Sequence, residues 1–238
     1  MLTVKRLAHA VDRRRRVASR HEYKRVWTRL ADSEPEARLH VIGNVDDTVL
    51  RETAADTAST LERLVHVRPS DTVLEIGCGI GRVGEAVAPR CAQWIGCDVS
   101  PTMLDHARER LAEHANVRLV EISGFDLAGI ADASIDVVYC TVVFMHLDEW
   151  DRYAYVVEAM RVLRPGGRIY VDNFNLASDR GFAIFEQHRA LYPRARPAHI
   201  SKSSTPEEIH TYLTRAGFSD SKIDCDGEWV RGVGTKPG

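Results

Sequence analysis

The chain has 238 residues, of which 44% are hydrophobic and 28% charged, with a formal net charge of −2. These figures suit one α/β core with additions and exclude a chain too polar to fold. No apolar run reaches the roughly 18 residues of a membrane span, and the first residues turn basic without an apolar secretion stretch, so the expected location is cytoplasmic.

Residues 3–31 read as helix, with Val4, Leu7 and Val11, then Tyr23, Val26, Trp27 and Leu30, at helical spacing around the run Arg13 to Arg16. Residues 1–30 hold ten lysines and arginines against Asp12 and Glu22, leaving the remainder acidic. A basic face of this kind could meet nucleic acid, an anionic membrane or an acidic substrate, but no RNA-binding module accompanies it. A solvated face, or one docked on the acidic remainder or a dimer mate, is the favoured reading. Ser33-Glu34-Pro35 stops the helix or starts the next turn. Residues 53–67 read as a second helix, with Ala58, Leu61, Leu64 and Val65 on one face, broken by Arg68-Pro69-Ser70-Asp71.

From Thr72 the texture becomes short apolar runs alternating with amphipathic helices. Strands are predicted at 72–76, 93–97, 117–122, 135–141 and 168–173, and helices at 81–88, 101–114 and 150–163. Ser100 caps the second of these helices and Pro101 occupies its first position. The rhythm implies a mainly parallel sheet with helices on both faces and right-handed crossovers. Phe182 and Phe185 are read as the buried face of a short helix. Thr205-Pro206-Glu207-Glu208 opens a helix that Gly217 closes. Strands at 221–225 and 228–233 flank Asp226-Gly227, a hairpin signal.

The cysteines Cys78, Cys91, Cys97, Cys140 and Cys225 form no C-x-x-C pair, and the ten histidines show no ligand spacing. Reduced thiols and no metal are expected.

Gly77-Cys78-Gly79-Ile80-Gly81 follows a buried strand and precedes a helix. Glycines there admit positive φ and close ligand approach, and the helix start favours a polar or anionic group. Gly79-Ile80-Gly81-Arg82-Val83-Gly84 also fits the dinucleotide pattern G-x-G-x-x-G, with Asp98 at a suitable distance for a ribose. The register argues against that pattern, because its first glycine should directly follow the strand and Gly79 comes two residues late. From Gly77 the pattern is G-x-G-x-G, with Glu75 at the strand end.

In that register, residues 73–82 resemble the first motif of class I S-adenosylmethionine-dependent methyltransferases. Residues 94–104 resemble the second, Ser134–Tyr139 the fourth strand, and Leu163–Gly167 the turn before the fifth. The likeness covers about residues 70–175. It implies a Rossmann-like seven-stranded, mostly parallel α/β sheet ending in an antiparallel hairpin, with an N-terminal helical extension. It also implies S-adenosylmethionine as cofactor and S-adenosylhomocysteine as product. By matched position, Gly77, Gly79 and Gly81 admit the methionine and ribose, Cys78 lies in the same loop, and Glu75 serves the amino group. Asp98 accepts from the ribose hydroxyls, and Val99, Met103 and Phe125 line the adenine. Backbone near Cys140 and Thr141 faces the methionine. Many relatives carry an acid where Ser123 stands, so either Asp126 substitutes or Ser123 and backbone make that contact.

The resemblance further implies a small-molecule acceptor and a division into an N-terminal cover, residues 1–52, and a methyltransferase domain, residues 53–238, with an acceptor-side insertion at about 174–204. His146, just past the fourth strand, is the candidate general base for a hydroxyl acceptor. Tyr23, Trp27, Phe144, Asn173, Asn175 and His199 are the expected acceptor-side residues, with the stretch 43–47 beside them. A monomer or homodimer without nucleic-acid partners is expected. N- or C-methylation, a nicotinamide-dependent oxidoreductase and a non-catalytic cofactor-binding protein remain as alternatives.

Overall fold

A computed structural model describes residues 21–193 and 199–238. Arg13 to Arg16, Arg20 and the start of the helix expected at 3–31 lie outside the described residues. Among the described residues, three helices precede the sheet: α1 (His21–Leu30), α2 (Glu34–Ile42) and α3 (Asp47–Val65). Ser33 starts a helix as well as ending one. Its hydroxyl accepts from the Glu36 N–H, Pro35 sits in the first turn, and Gly43 closes α2 with φ 71°. α3 begins six residues earlier than its apolar stripe predicted, because the Asp46 carboxylate caps it by accepting from the Thr48 N–H at 2.8 Å.

The sheet contains β1 (Thr72–Ile76), β2 (Gln93–Asp98), β3 (Val117–Glu121), β4 (Ile135–Cys140), β5 (Leu163–Asn175), β7 (Ser219–Asp226) and β8 (Trp229–Thr235), with the two-residue β6 (Ser203–Ser204) beside β5. Its order is β3-β2-β1-β4-β5-β8-β7. β1 to β5 are parallel, and β8 runs antiparallel to both β5 and β7. The expected architecture, terminal hairpin included, is the observed one, and β6 adds a short eighth strand.

Alternation along the strands divides the core. Leu74, Ile76, Ile95, Val138, Ile169 and Val171 pack toward α6 (Glu149–Val162) and α8 (Pro206–Ala216). Val73, Trp94, Val137, Tyr139 and Tyr170 face the other way, toward α3, α4 (Arg82–Val87) and α5 (Pro101–Arg110). That second face carries the polar residues of the site, since Glu75 shares the parity of Val73, and Asp172 that of Tyr170.

After β5 the chain forms α7 (Asp179–Ala190). Phe182 and Phe185 do not form its buried face: they are 50% and 38% exposed and lie against each other with ring centroids 5.8 Å apart. α7 is anchored instead by Gly181, where a Cβ would lie 1.9 Å from the Asn175 carbonyl oxygen.

α1 and α2 lie over the C-terminal ends of the parallel strands. Arg110 on α5 holds this cover, donating to Glu34 at 3.0 Å, Asp47 at 2.9 Å and Glu85 at 3.1 Å. Lys24 pairs with Glu121, and the Ala31 carbonyl meets the His106 ring at 3.0 Å.

Candidate active site

The loop after β1 turns back on β2. The Gly77 and Cys78 N–H groups both donate to the Cys97 carbonyl, at 2.7 and 2.9 Å. Gly77 has φ 72°, and a Cβ there would lie 2.3 Å from Val143 Cγ2, so this position needs glycine for both conformation and space. Gly81, with φ 78°, precedes α4 and packs on Leu111.

Asp98 ends β2 and is buried. Its two oxygens accept from Gly79 N–H at 2.9 Å and Ser100 N–H at 2.8 Å. Each carboxylate oxygen has a further lone pair for a ligand hydroxyl. Burial raises its pKa to about 6 against the pull of those N–H donors.

Glu75 pairs in register with Tyr139 on β4. The Tyr139 hydroxyl donates to Glu75 at 2.6 Å and accepts from the Trp94 indole at 2.9 Å. Burial pushes the Glu75 carboxyl up to about 8. The folded state therefore holds a proton that the unfolded chain releases near its ordinary pKa, and stability is lost as pH rises from about 4.5 through about 8. Glu75→Gln is expected to melt several degrees above the wild type at pH 8.5 and close to it at pH 4.5, measured by scanning fluorimetry, while binding S-adenosylhomocysteine more weakly. A melting-point difference that does not change with pH would contradict this.

Beyond β4 the backbone is strained. Val142 has φ 61°, a region that β-branched residues rarely enter. Asp172 on β5 holds it there, accepting from Val142 N–H at 2.7 Å, the Thr141 hydroxyl at 2.6 Å and the Tyr170 hydroxyl at 2.9 Å. A short 3-10 turn, Phe144–His146, follows. His146 Nδ1 lies 2.9 Å from the His199 carbonyl oxygen. A carbonyl only accepts, so Nδ1 carries the proton and Nε2 keeps its lone pair. Burial lowers the His146 pKa to about 4. The Trp27 ring meets the imidazole edge-on at 4.8 Å.

Two cavities meet here. A cleft of about 850 Å³, open to solvent, runs over the strand ends under α1 and α2. It brings together Tyr23, Trp27, Glu75, Gly77, Cys78, Gly79, Asp98, Val99, Met103, Thr141 and His146. A second chamber lies between α3 and the β5–β8 surface, and shares His40, Val41, Arg82, Thr141, Val142 and His146 with the first. His199 lines this second chamber.

Several expected site residues lie elsewhere. Phe144 is buried among the core side chains next to α6 and lines neither cavity. Asn173 and Asn175 serve the fold: Asn173 donates to the Ser204 hydroxyl at 2.8 Å and accepts from Phe174 N–H, and Asn175 accepts from Ala177 N–H at 3.0 Å. Phe125 is 37% exposed, and Asp126 is tied to the Ser123 hydroxyl at 2.8 Å. From that loop, Ile122 and Gly124 reach the cleft. Gly81 shapes the loop without lining it. Sequence reasoning missed Arg82, Asp172, Tyr155, His40 and the strained Val142. The alternation Tyr170, Asp172, Phe174 along β5 was the available signal for Asp172, one parity away from Asn173.

The donors fit a nucleoside carrying an amino acid. Asp98 suits a vicinal diol, Val99, Met103 and Ile122 form an apolar slot, and Glu75 lies beyond the glycine loop. A sheet of this order with such a cleft at its strand ends is that of a class I methyltransferase. Residues 73–167 match the family model described as Methyltransferase domain, and the chain belongs to the class I S-adenosylmethionine-dependent methyltransferases. S-adenosylmethionine is the cofactor.

A probable S-adenosylmethionine-dependent methyltransferase of Mycolicibacterium smegmatis is 37% identical over 116 residues, covering 48% of this chain and 42% of that protein. A ubiquinone biosynthesis O-methyltransferase of Stutzerimonas stutzeri is 30% identical over 155 residues, covering 63% of this chain and 66% of that one. Among solved structures, the phosphoethanolamine N-methyltransferase 1 of Haemonchus contortus, in complex with phosphoethanolamine and S-adenosylhomocysteine, superposes with TM-score 0.65 at 18% identity, covering 92% of this chain and 49% of that one. The chain thus spans less than half the length of some relatives it matches. Among the described residues, no helix is long and apolar enough to cross a membrane, and no group of three potential ligands could hold a metal ion.

Proposed function

We propose that this protein transfers the methyl group of S-adenosylmethionine to a hydroxyl of a small-molecule acceptor, with His146 as the general base. The observation that supports this reading is the imidazole on the wall shared by both cavities, with Nδ1–H committed to the His199 carbonyl and Nε2 left basic. The similarity to an O-methyltransferase of ubiquinone biosynthesis agrees with it. The unpaired cysteines, four of them buried, suit a reducing compartment, and we place the protein in the cytoplasm.

When bound, the sulfonium cofactor supplies an already activated methyl group, so the protein's work is alignment of an in-line displacement. The strained Thr141–Val142 turn, fixed by Asp172, shapes the wall at which the two cavities meet. Trp27 and Tyr23 cover the cleft and limit water. As the new C–O bond forms, the acceptor's O–H becomes strongly acidic, and Nε2 takes that proton late. A base with a pKa near 4 suffices for this step. The products are the methyl ether, S-adenosylhomocysteine and a proton that His146 passes to water.

With hydroxylated acceptors, His146→Ala is expected to lower kcat by about 10²–10³-fold while S-adenosylhomocysteine affinity stays within a few-fold. Because the wild-type imidazole is neutral above about pH 5, its kcat should carry no histidine limb between pH 6 and 8. A His146→Ala enzyme turning over near the wild-type rate would remove the base assignment.

A further inference from the structure

We propose that the chamber between α3 and the β5–β8 surface is the acceptor site, and that it takes a ring-bearing small molecule with a carboxylate, held by Arg82. The inference deepens the function proposed above and rests on its assignment of the cleft to the cofactor.

Strand parity builds one wall. Tyr170, Asp172 and Phe174 alternate on β5, and Trp229 and Arg231 alternate on β8, paired in register as Phe174 with Trp229 and Asp172 with Arg231. The opposite parity is filled by packing: a Cβ at Gly232 would lie 2.4 Å from Ile209 of α8. The chamber side instead carries two aromatic rings, Phe174 and Trp229, with centroids 5.0 Å apart and planes 32° apart. Paired rings on a cavity wall suit a flat, apolar ligand body. The facing wall is polar, with Thr53, Thr57 and Thr60 on one side of α3. Thr53 and Thr57 already donate to the Leu50 and Thr53 carbonyls at 2.9 Å, so what this wall offers a ligand is hydroxyl oxygen as acceptor.

Arg82 supplies the charge requirement. It is 5% exposed and lines the chamber, and its one hydrogen bond among the described residues is to the Thr57 hydroxyl at 3.2 Å. No carboxylate of the described residues lies within ion-pair distance of it. The other cation there, Arg231, is already neutralised by Asp224 at 3.0 Å and Asp226 at 3.4 Å. Asp172 spends its oxygens on Thr141, Val142 and Tyr170, and Asp56 is exposed. Glu75 and Asp172 act on this buried guanidinium through space, but neither forms an ion pair with it among the described residues, so its fork stays open to a ligand carboxylate. Burial lowers the Arg82 pKa against the opposing charges of Glu75 and Asp172.

The test uses the full chain saturated with S-adenosylhomocysteine. Calorimetry compares a panel of hydroxybenzoates and hydroxyphenylacetates with their neutral primary amides. The acids are expected to bind about tenfold or more tighter than the amides. Arg82→Gln should abolish that preference, Arg82→Lys should keep part of it, and Trp229→Ala should weaken acids and amides alike. No preference for the acids across the panel overturns the proposal. The methionine carboxylate is the competing source of negative charge. If Arg82→Gln weakens S-adenosylhomocysteine tenfold but leaves 5′-methylthioadenosine unchanged, Arg82 serves the cofactor and the proposal falls. Thermal melts of each variant separate loss of binding from loss of fold, and the Lys variant carries the comparison if Gln unfolds. Methyl-labelled turnover then separates the two readings. Acids that bind through Arg82 but leave as methyl esters would refute hydroxyl methylation and leave the chamber assignment standing.

Discussion

Asp98→Ala is expected to abolish measurable S-adenosylhomocysteine binding, with a loss of about 10²–10⁴-fold by calorimetry. Two hydrogen bonds from ribose hydroxyls to a carboxylate, each worth about 1.5–3 kcal/mol, account for that range. The substitution also leaves the Gly79 and Ser100 N–H groups without their acceptor, so the loop itself should loosen. Asp98→Asn separates the two effects, because its carbonyl oxygen still accepts from the loop while the second oxygen and the charge are gone. It should melt nearer the wild type than alanine does and still bind at least tenfold more weakly. Since burial raises the Asp98 pKa to about 6, wild-type affinity should fall as pH drops through that value, by up to about tenfold per unit below it. An Asp98→Ala protein binding within threefold of the wild type would mean that the cofactor does not lie on β2.

Gly77→Ala should be nearly as damaging by another route. The new methyl group would lie 2.3 Å from Val143 Cγ2, and the backbone would have to keep φ 72° with a side chain, which costs about 1–2 kcal/mol. Val143 follows the strained Val142, so relief of the clash displaces the turn leading to His146. We expect kcat/KM to fall at least 100-fold and the melting temperature to drop by several degrees. Val143→Ala added to Gly77→Ala removes the Cγ atoms responsible for the contact. It should recover part of the stability, while the left-handed strain at residue 77 remains. If the double variant is no better than Gly77→Ala alone, the steric account is wrong.

The parallel core was legible from local signals, since its strands are short apolar runs and its helices carry their own caps. β1 and α8 have the predicted limits, and the Asp226-Gly227 pair marked the hairpin. The acid at each strand end, Glu75 and Asp98, was readable because motif and spacing place it there. Legibility failed where position depends on long-range packing. Asn173 was chosen over Asp172, and in a strand that one-residue step moves a side chain to the other face of the sheet. Phe182 and Phe185 have the spacing of a buried stripe, yet on α7 both are exposed and lie against each other. Arg82 looked like an ordinary first-turn residue of a helix. Its burial depends on α3, which crosses it from a segment some 25 residues upstream.

The peptide between Thr141 and Val142 is a party wall. It lines both cavities and is held out of its relaxed shape by a single carboxylate. A ligand that presses on one side of such a wall changes the shape offered on the other, and the exchange is reciprocal by thermodynamic necessity. Whatever factor acceptor occupancy adds to cofactor affinity, cofactor occupancy must return to the acceptor. Asp172, which itself lines the second chamber, is the residue that fixes the shape of this shared wall.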